Sequence, residues 1–158
     1  MNRKIRIKEL VLALAIPLAV GGLSAFITRD AMKNFERMRQ PPLSPPSWLF
    51  PVVWTLLFIL MGIASYRIYI SSASQPRRER ALTVYAIQLA MNFAWTIFFF
   101  SLGLYLTAFI WLLILWVLII ACAVLFYYID RTAGKLLIPY ILWTTFAGYL
   151  NFGIYLLN

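Results

Sequence analysis

Two long stretches without any charged side chain constrain the fold of this sequence most. No Asp, Glu, Lys or Arg occurs in residues 47–66 or in residues 81–129. About 20 apolar residues, at roughly 1.5 Å rise per residue, cross a hydrocarbon layer of about 30 Å as a helix. With 63% hydrophobic and 12% charged residues, the chain has too little polar surface to cover a soluble globule. We therefore predict an all-α integral membrane protein.

Breaks between the apolar runs predict five membrane spans. The first run follows a basic head, as in a signal peptide, but no clean cleavage pattern precedes Arg29, so we interpret it as a retained helix. The predicted fold is a five-transmembrane-helix bundle, with residues 1–158 as a single transmembrane domain. The predicted spans are residues 10–27, 48–69, 81–102, 106–129 and 136–157. The first loop, residues 28–47, is predicted to act as a lid and to hold a short helical turn near 31–38. A polar linker at 71–80, broken by Gln75 and Pro76, and a short loop at 130–135 are the other predicted connections.

Basic residues predict the orientation in the membrane. With five spans, the N-terminus and the second and fourth loops share one side, which holds most of the 14 Lys and Arg residues, Arg3 and Lys4 among them. The positive-inside rule then places the N-terminus in the cytoplasm, and the first loop and the C-terminus outside. The net charge of +9 indicates contact with lipid headgroups and no nucleic-acid partner.

Five of the eight prolines fall between Pro41 and Pro51. Proline fixes φ and lacks a backbone donor, so residues 41–46 are predicted to be stiff and extended, with a helix beginning near Ser47 and Pro51 in its first turn. Such a segment, leading into a helix that carries Trp48 and Trp54, suits a lid over a cavity. The alternative is only a well-anchored helix start, and both interpretations stay open.

Several chemistries are disfavoured by composition. The chain has no histidine and one cysteine, Cys122, so no disulfide, no metal site and no axial haem ligation by the usual side chains are expected. The central spans lack the ionisable residues that proton pumps use, which disfavours ion-coupled transport.

Amide and aromatic side chains form two stripes at helical spacing. Since amides are costly in lipid, both stripes should face the bundle interior and, with Trp54, line a cavity suited to a large, planar, mostly apolar ligand. The alternative is that the amides only join helices and the indoles fill space. The stripes are Gln88, Asn92, Trp95 and Phe99 on the third span, and Tyr140, Trp143, Ala147 and Asn151 on the last.

Small residues on the third span form a separate surface. Ala86, Ala90 and Ala94, here called the alanine ridge, recur every four residues on another face from the amides. The ridge suits close helix packing, within the bundle or across a dimer.

Three motifs in order carry a family resemblance. They are Pro45-Pro-Ser-Trp-Leu-Phe-Pro-Val-Val-Trp54 leading to Met61-Gly62, Gln88-Leu-Ala-Met-Asn-Phe-Ala-Trp95 with Phe98-Phe99, and Pro139-Tyr-Ile-Leu-Trp143 with Phe146-Ala147 and Leu150-Asn151. By these motifs, over nearly its whole length, the chain resembles the TspO/translocator protein family, also called tryptophan-rich sensory proteins or peripheral-type benzodiazepine receptors.

The resemblance implies a five-helix bundle, often a homodimer, with a pocket beneath the first loop. It implies binding of porphyrins such as protoporphyrin IX, as ligand or substrate with no resident cofactor, and of benzodiazepine-site drugs. The expected location is the bacterial plasma membrane. Family pocket residues match Trp54, Asn92, Trp143 and Ala147, with Phe35 at a usually aromatic position. The full expected ligand-binding set is Phe35, Pro45, Trp54, Gln88, Asn92, Trp95, Tyr140, Trp143, Ala147 and Asn151.

Departures from the family pattern bear on ligand choice. Leu43 stands where a tryptophan is usual, and Asn34-Phe35 where Trp-Tyr is common. The sterol motif of animal members is incomplete, since only Leu-Leu-Asn follows Tyr155, so sterol binding by it is doubtful.

Three functions compete. The first is a tetrapyrrole-binding translocator or sensor, with Arg37 or Arg39 near the propionates. The second is a light- and oxygen-dependent enzyme that degrades protoporphyrin IX, with Trp54 and Trp143 as catalytic residues. The third is a non-catalytic membrane scaffold that acts through the alanine ridge.

Overall fold

The computed structural model describes residues 5–158, so Arg3 and Lys4, used above for orientation, lie outside the described residues. This part of the chain holds six α-helices and no strand. The last turn of the third helix continues as a π-helix over Ile97–Ser101. The helices are α1 Ile7–Glu36, α2 Leu49–Tyr69, α3 Gln75–Thr96, α4 Tyr105–Ile129, α5 Arg131–Leu136 and α6 Ile138–Leu157.

Five of these helices are long, and they form a transmembrane bundle. The helices α1, α2, α3 with its π-helical turn, and α4 are long and apolar enough to cross a membrane. The 20 residues of α6 give about 30 Å of helix, the thickness of the hydrocarbon layer. The predicted class, an all-α five-helix integral membrane protein, is confirmed.

The first helix is longer than predicted. It continues to Glu36, so the beginning of the segment predicted as a loop at 28–47 is helical. Residues 31–36 contain no proline or glycine, and an Asp30–Lys33 pair at 3.8 Å supports the extra turns. We call residues 37–48, which connect α1 to α2, the strap.

The strap is not extended throughout, contrary to the prediction for residues 41–46. The Ser44 backbone N–H donates to the Pro41 carbonyl at 3.3 Å, which closes a turn. Leu43 has a φ of 67°, the left-handed conformation that this turn requires after Pro42.

Two other predicted connections are helical. Gln75 and Pro76, interpreted as a break, instead begin α3, since proline is tolerated where a helix starts and its missing N–H would be unpaired anyway. The short loop predicted at 130–135 is largely α5. The Asp130 carboxylate caps α5 by accepting from the Ala133 backbone N–H at 3.0 Å.

Asp130 also ties α5 to α2. Its carboxylate accepts three hydrogen bonds from the Arg67 guanidinium, one from Nε at 3.2 Å and two from Nη2 at 3.1 and 2.8 Å. Burial alone would raise the pKa of Asp130, but the hydrogen bonds from Arg67 and Ala133 and the Arg67 charge together lower it below its ordinary value.

Glycines bring α1 and α2 together. A Cβ atom at Gly62 would lie 2.8 Å from the Ala13 carbonyl oxygen and 2.9 Å from the Leu14 Cα, so only glycine permits this approach. At Gly21 the ring of Phe58 occupies the place of a side chain.

The alanine ridge faces away from the bundle. Ala86 and Ala90 are exposed and Ala94 is half-buried. Close packing of the ridge inside the bundle is therefore excluded for Ala86 and Ala90.

Candidate ligand cavity

A cavity of about 520 Å³ lies between α1, α2, α3 and α6, near the end of the bundle that carries the strap. Phe35 and Glu36 of α1 and Ser47 and Trp48 of the strap line its upper end. Most other lining residues are apolar or aromatic, as is usual for sites that take small organic molecules.

Seven of the ten predicted ligand-binding residues line this cavity. They come from four helices; six of these residues were predicted to lie on three separate spans, and Phe35 in the first loop. The seven are Phe35, Trp54, Asn92, Trp95, Trp143, Ala147 and Asn151.

Pro45, Gln88 and Tyr140 do not line the cavity. Pro45 belongs to the strap, of which only Ser47 and Trp48 reach the cavity. Gln88 and Tyr140 are each 1% exposed and lie behind the wall. These two residues act on the cavity through Asn92.

Tyr140 holds Asn92 by a hydrogen-bonded chain. The Asn92 amide Nδ2 donates to the Tyr140 hydroxyl at 2.7 Å, and that hydroxyl donates to the Gln88 Oε1 at 2.8 Å. One N–H of the Asn92 amide is used in this chain, so its side-chain carbonyl remains available as an acceptor and its second N–H as a donor.

A second amide joins α3, α4 and α6. Asn151 accepts from the Trp95 indole at 3.1 Å and donates to the Tyr105 carbonyl at 2.8 Å. Asn151 therefore lines the cavity with both ends of its amide already in use, which makes it a support for Trp95.

Aromatic rings form flat walls. Trp54 stacks on Phe58 with centroids 5.6 Å apart, and its ring lies 6.3 Å from that of Trp95. The Trp143 ring lies 5.9 Å from that of Phe50. The rings give the cavity broad π-faces on more than one side.

The Trp143 indole offers a free donor. Its Nε1 is buried, and no acceptor within residues 5–158 pairs with it. Buried N–H groups nearly always have a partner; within residues 5–158 the hydroxyls of Ser71 and Tyr85 are the other buried side-chain groups left unpaired.

The cavity carries almost no charge. Of its lining residues only Glu36 is ionisable. Arg37 and Arg39, considered above as partners of propionates, do not line it. The walls therefore suit an uncharged ligand body.

Sequence reasoning missed the contribution of α1. Gly21, Ala25, Thr28 and Met32 line the cavity together with Phe35. Their spacing of four, three, four and three residues is a helical stripe. Ending the predicted first span at residue 27 cut this stripe in two and hid it.

Comparison with known proteins fixes the family. The family model described as TspO/MBR family matches residues 13–157. The chain therefore belongs to the TspO/MBR family. This result confirms the resemblance drawn from the three motifs.

Relatives of this TspO/MBR protein include two bacterial proteins and one animal protein. The chain is 34% identical to the tryptophan-rich protein TspO of Chlorobaculum tepidum over 158 residues, which cover 100% of this chain and 99% of that protein. It is 36% identical to protein CrtK of Rhodobacter capsulatus, covering 78% of each chain. It is 32% identical to the translocator protein of Bos taurus, covering 87% of this chain and 82% of that protein.

Proposed function

We propose that this TspO/MBR protein is a membrane translocator or sensor that binds a tetrapyrrole such as protoporphyrin IX in the cavity. One observation carries the proposal: Trp54, Asn92 and Trp143, from three different helices, line the same cavity. The names of two relatives, translocator protein and tryptophan-rich sensory protein, agree with this role.

The size and chemistry of the cavity support a flat, largely apolar ligand. Its volume of about 520 Å³ lies within the range of roughly 300–1,000 Å³ common for drug-sized ligands. The Trp54 face is available for stacking, the Asn92 carbonyl for a donor and the Trp143 N–H for an acceptor. The same features support binding of benzodiazepine-site drugs.

We also propose a location, an orientation and an oligomeric state for the protein. We place it in the bacterial plasma membrane, with the N-terminus in the cytoplasm and the C-terminus outside. We also propose a homodimer that packs through Ala86 and Ala90. An Ala90→Leu variant should then lose dimer on size-exclusion chromatography with light scattering, and an unchanged dimer would contradict that interface.

Titration with protoporphyrin IX tests the proposed binding. Trp143→Phe with Asn92→Ala removes a free donor, a free acceptor and part of an aromatic face. Each lost interaction contributes about 1 kcal/mol to binding, so the double variant should bind roughly 10- to 100-fold more weakly. Trp116→Phe on α4, outside the lining, is the matched control. Tryptophan fluorescence and porphyrin absorbance give the Kd, and an unchanged Kd in the double variant would reject this cavity as the site.

A second candidate function is favoured by two indoles, those of Trp54 and Trp143, lining one cavity. This candidate is light- and oxygen-dependent degradation of the bound porphyrin, with the pigment supplying the photochemistry and the indoles supplying electrons. Illumination of the complex under oxygen tests it. Equal rates of product formation in wild type, Trp54→Phe and Trp143→Phe would exclude a catalytic role for both residues.

A further inference from the structure

The cavity borders exposed residues of α1 and α2, and we call the gap between them the cleft. It is bounded by Gly22 and Ala25 on α1 and by Pro51 and Thr55 on α2. We propose that the ligand enters and leaves through this cleft from within the bilayer, and does not pass under the strap. The inference rests on the binding proposed above and adds its route.

The lower end of the cleft is closed. The ring of Phe58 fills the space beside Gly21, and further along the helices Gly62 touches the backbone of α1. Since interlocked contacts of this kind leave no gap, a ligand cannot pass between α1 and α2 at this level.

One residue beyond Gly21 this close contact is absent. Gly22, Ala25, Pro51 and Thr55 line the cavity and are exposed, as are Leu18 on α1 and, at the strap end, Glu36 and Trp48. Residues with both properties lie at an opening. A Cβ atom at Gly22 would meet nothing within 4 Å, so this position faces open space.

The chemistry of the cleft suits an aromatic molecule dissolved in lipid. None of its four residues is charged, and the Thr55 hydroxyl is already engaged with the Pro51 carbonyl at 2.7 Å. Trp48, 65% exposed, lies beside the cleft at the strap end, where an indole suits the membrane interface. A ligand therefore meets no unpaired polar group on its way in.

The strap, by contrast, is fastened to α6. The Asn158 side chain accepts from the Arg39 backbone N–H at 3.1 Å and donates to the Arg39 carbonyl at 3.0 Å. The Tyr149 hydroxyl donates to the Pro42 carbonyl at 2.7 Å. Pro41 packs onto Gly153 so closely that a Cβ there would lie 2.6 Å from the Pro41 Cβ. Lifting the strap away from α6 would break these contacts.

Stopped-flow binding of protoporphyrin IX to the full-length protein in lipid nanodiscs separates the two routes. Gly22→Phe fills the cleft from α1, and Thr55→Phe narrows it from α2. Each should slow association by roughly tenfold, since a narrowed passage lowers the rate of productive encounter. The matched control is Ala121→Phe, which adds the same ring at an exposed position of α4. It should keep the wild-type rate.

A strap variant completes the test. Asn158→Ala combined with Tyr149→Phe removes three hydrogen bonds from the strap and should leave the association rate unchanged. Faster association in this variant, or equal rates for Gly22→Phe, Thr55→Phe and Ala121→Phe, would overturn the lateral route. An equilibrium titration of wild type is run first. Wild type that fails to bind refutes the proposed function itself, whereas binding with unchanged kinetics refutes the route alone.

Discussion

Replacing Tyr140 with phenylalanine removes one oxygen atom from the middle of a buried hydrogen-bonded chain. The hydroxyl accepts from Asn92 at 2.7 Å and donates to Gln88 at 2.8 Å, and the residue is 1% exposed. An interhelical hydrogen bond in a membrane contributes about 0.6 kcal/mol on average and up to about 1.7 kcal/mol. A buried polar group left without a partner costs about 1–3 kcal/mol. With two bonds lost, we expect the free energy of unfolding to fall by about 1–3 kcal/mol.

The assay is reversible unfolding in mixed micelles, followed by circular dichroism. Tyr128→Phe is the matched control, because Tyr128 is 73% exposed and its hydroxyl makes no hydrogen bond within residues 5–158. A Gln88→Leu variant and the double variant close a thermodynamic cycle that isolates the Tyr140–Gln88 coupling. The Asn92 amide also becomes free to rotate, so ligand affinity should fall several-fold. A stability of Tyr140→Phe within about 0.3 kcal/mol of the control would refute this account of the network.

Three further changes have expected outcomes. Gly62→Ala should lower the free energy of unfolding by about 1–3 kcal/mol, because the added methyl group forces α1 away from α2. Gly22→Ala should leave the free energy of unfolding unchanged or raise it. Equal losses of stability in the two variants, measured by thermal unfolding, would contradict this packing. Asp130→Asn should cost about 1 kcal/mol at pH 7 by weakening the pair with Arg67. Because the pKa of Asp130 is lowered in the folded state, the stability that its pair with Arg67 adds is fully present above the unfolded pKa of about 3.9. That stability is lost as the pH falls through the folded pKa. A difference in unfolding free energy between Asp130→Asn and wild type that does not change with pH would contradict this prediction. A reporter fused after Asn158 should be active outside the cytoplasm, and cytoplasmic activity would reverse the orientation.

Local spacing explains what the sequence could predict. Side chains three and four residues apart share a helix face, so the joint orientation of Asn92 and Trp95, and of Trp143 and Ala147, is contained in the sequence. The absence of charge from residues 47–66 and 81–129 likewise predicted membrane helices. Both inferences need only one helix at a time.

Two features could not be predicted in this way: how far a side chain lies from the cavity, and which side chain of another helix it contacts. Gln88 shares a face with Asn92, but whether it reaches the cavity or a tyrosine behind the wall depends on how α3 crosses α6. The π-helical turn is a second example, since the Leu102 N–H bonds to the Ile97 carbonyl, five residues back, at 3.0 Å. This wider turn departs from the 3.6-residue period, and Phe99 and Phe100 both line the cavity.

The end of α1 was missed for another reason. Beyond residue 27 the helix carries charged residues, so the apolar signal that marks a span ends although the helix continues. Hydropathy indicates only which part of a helix lies in the membrane. The full length of the helix also depends on where residues that disfavour a helix occur. Here α1 ends at Glu36, and the prolines that begin at Pro41 prevent the helix from resuming in the strap.

An experimental structure of the protein in lipid nanodiscs, prepared with protoporphyrin IX, tests the central claim most directly. We expect a flat macrocycle inside the cavity, stacked between Trp54 and Trp143, with its edge toward Asn92. A macrocycle bound on the lipid-facing surface of the bundle, with no pigment between those tryptophans, would contradict it.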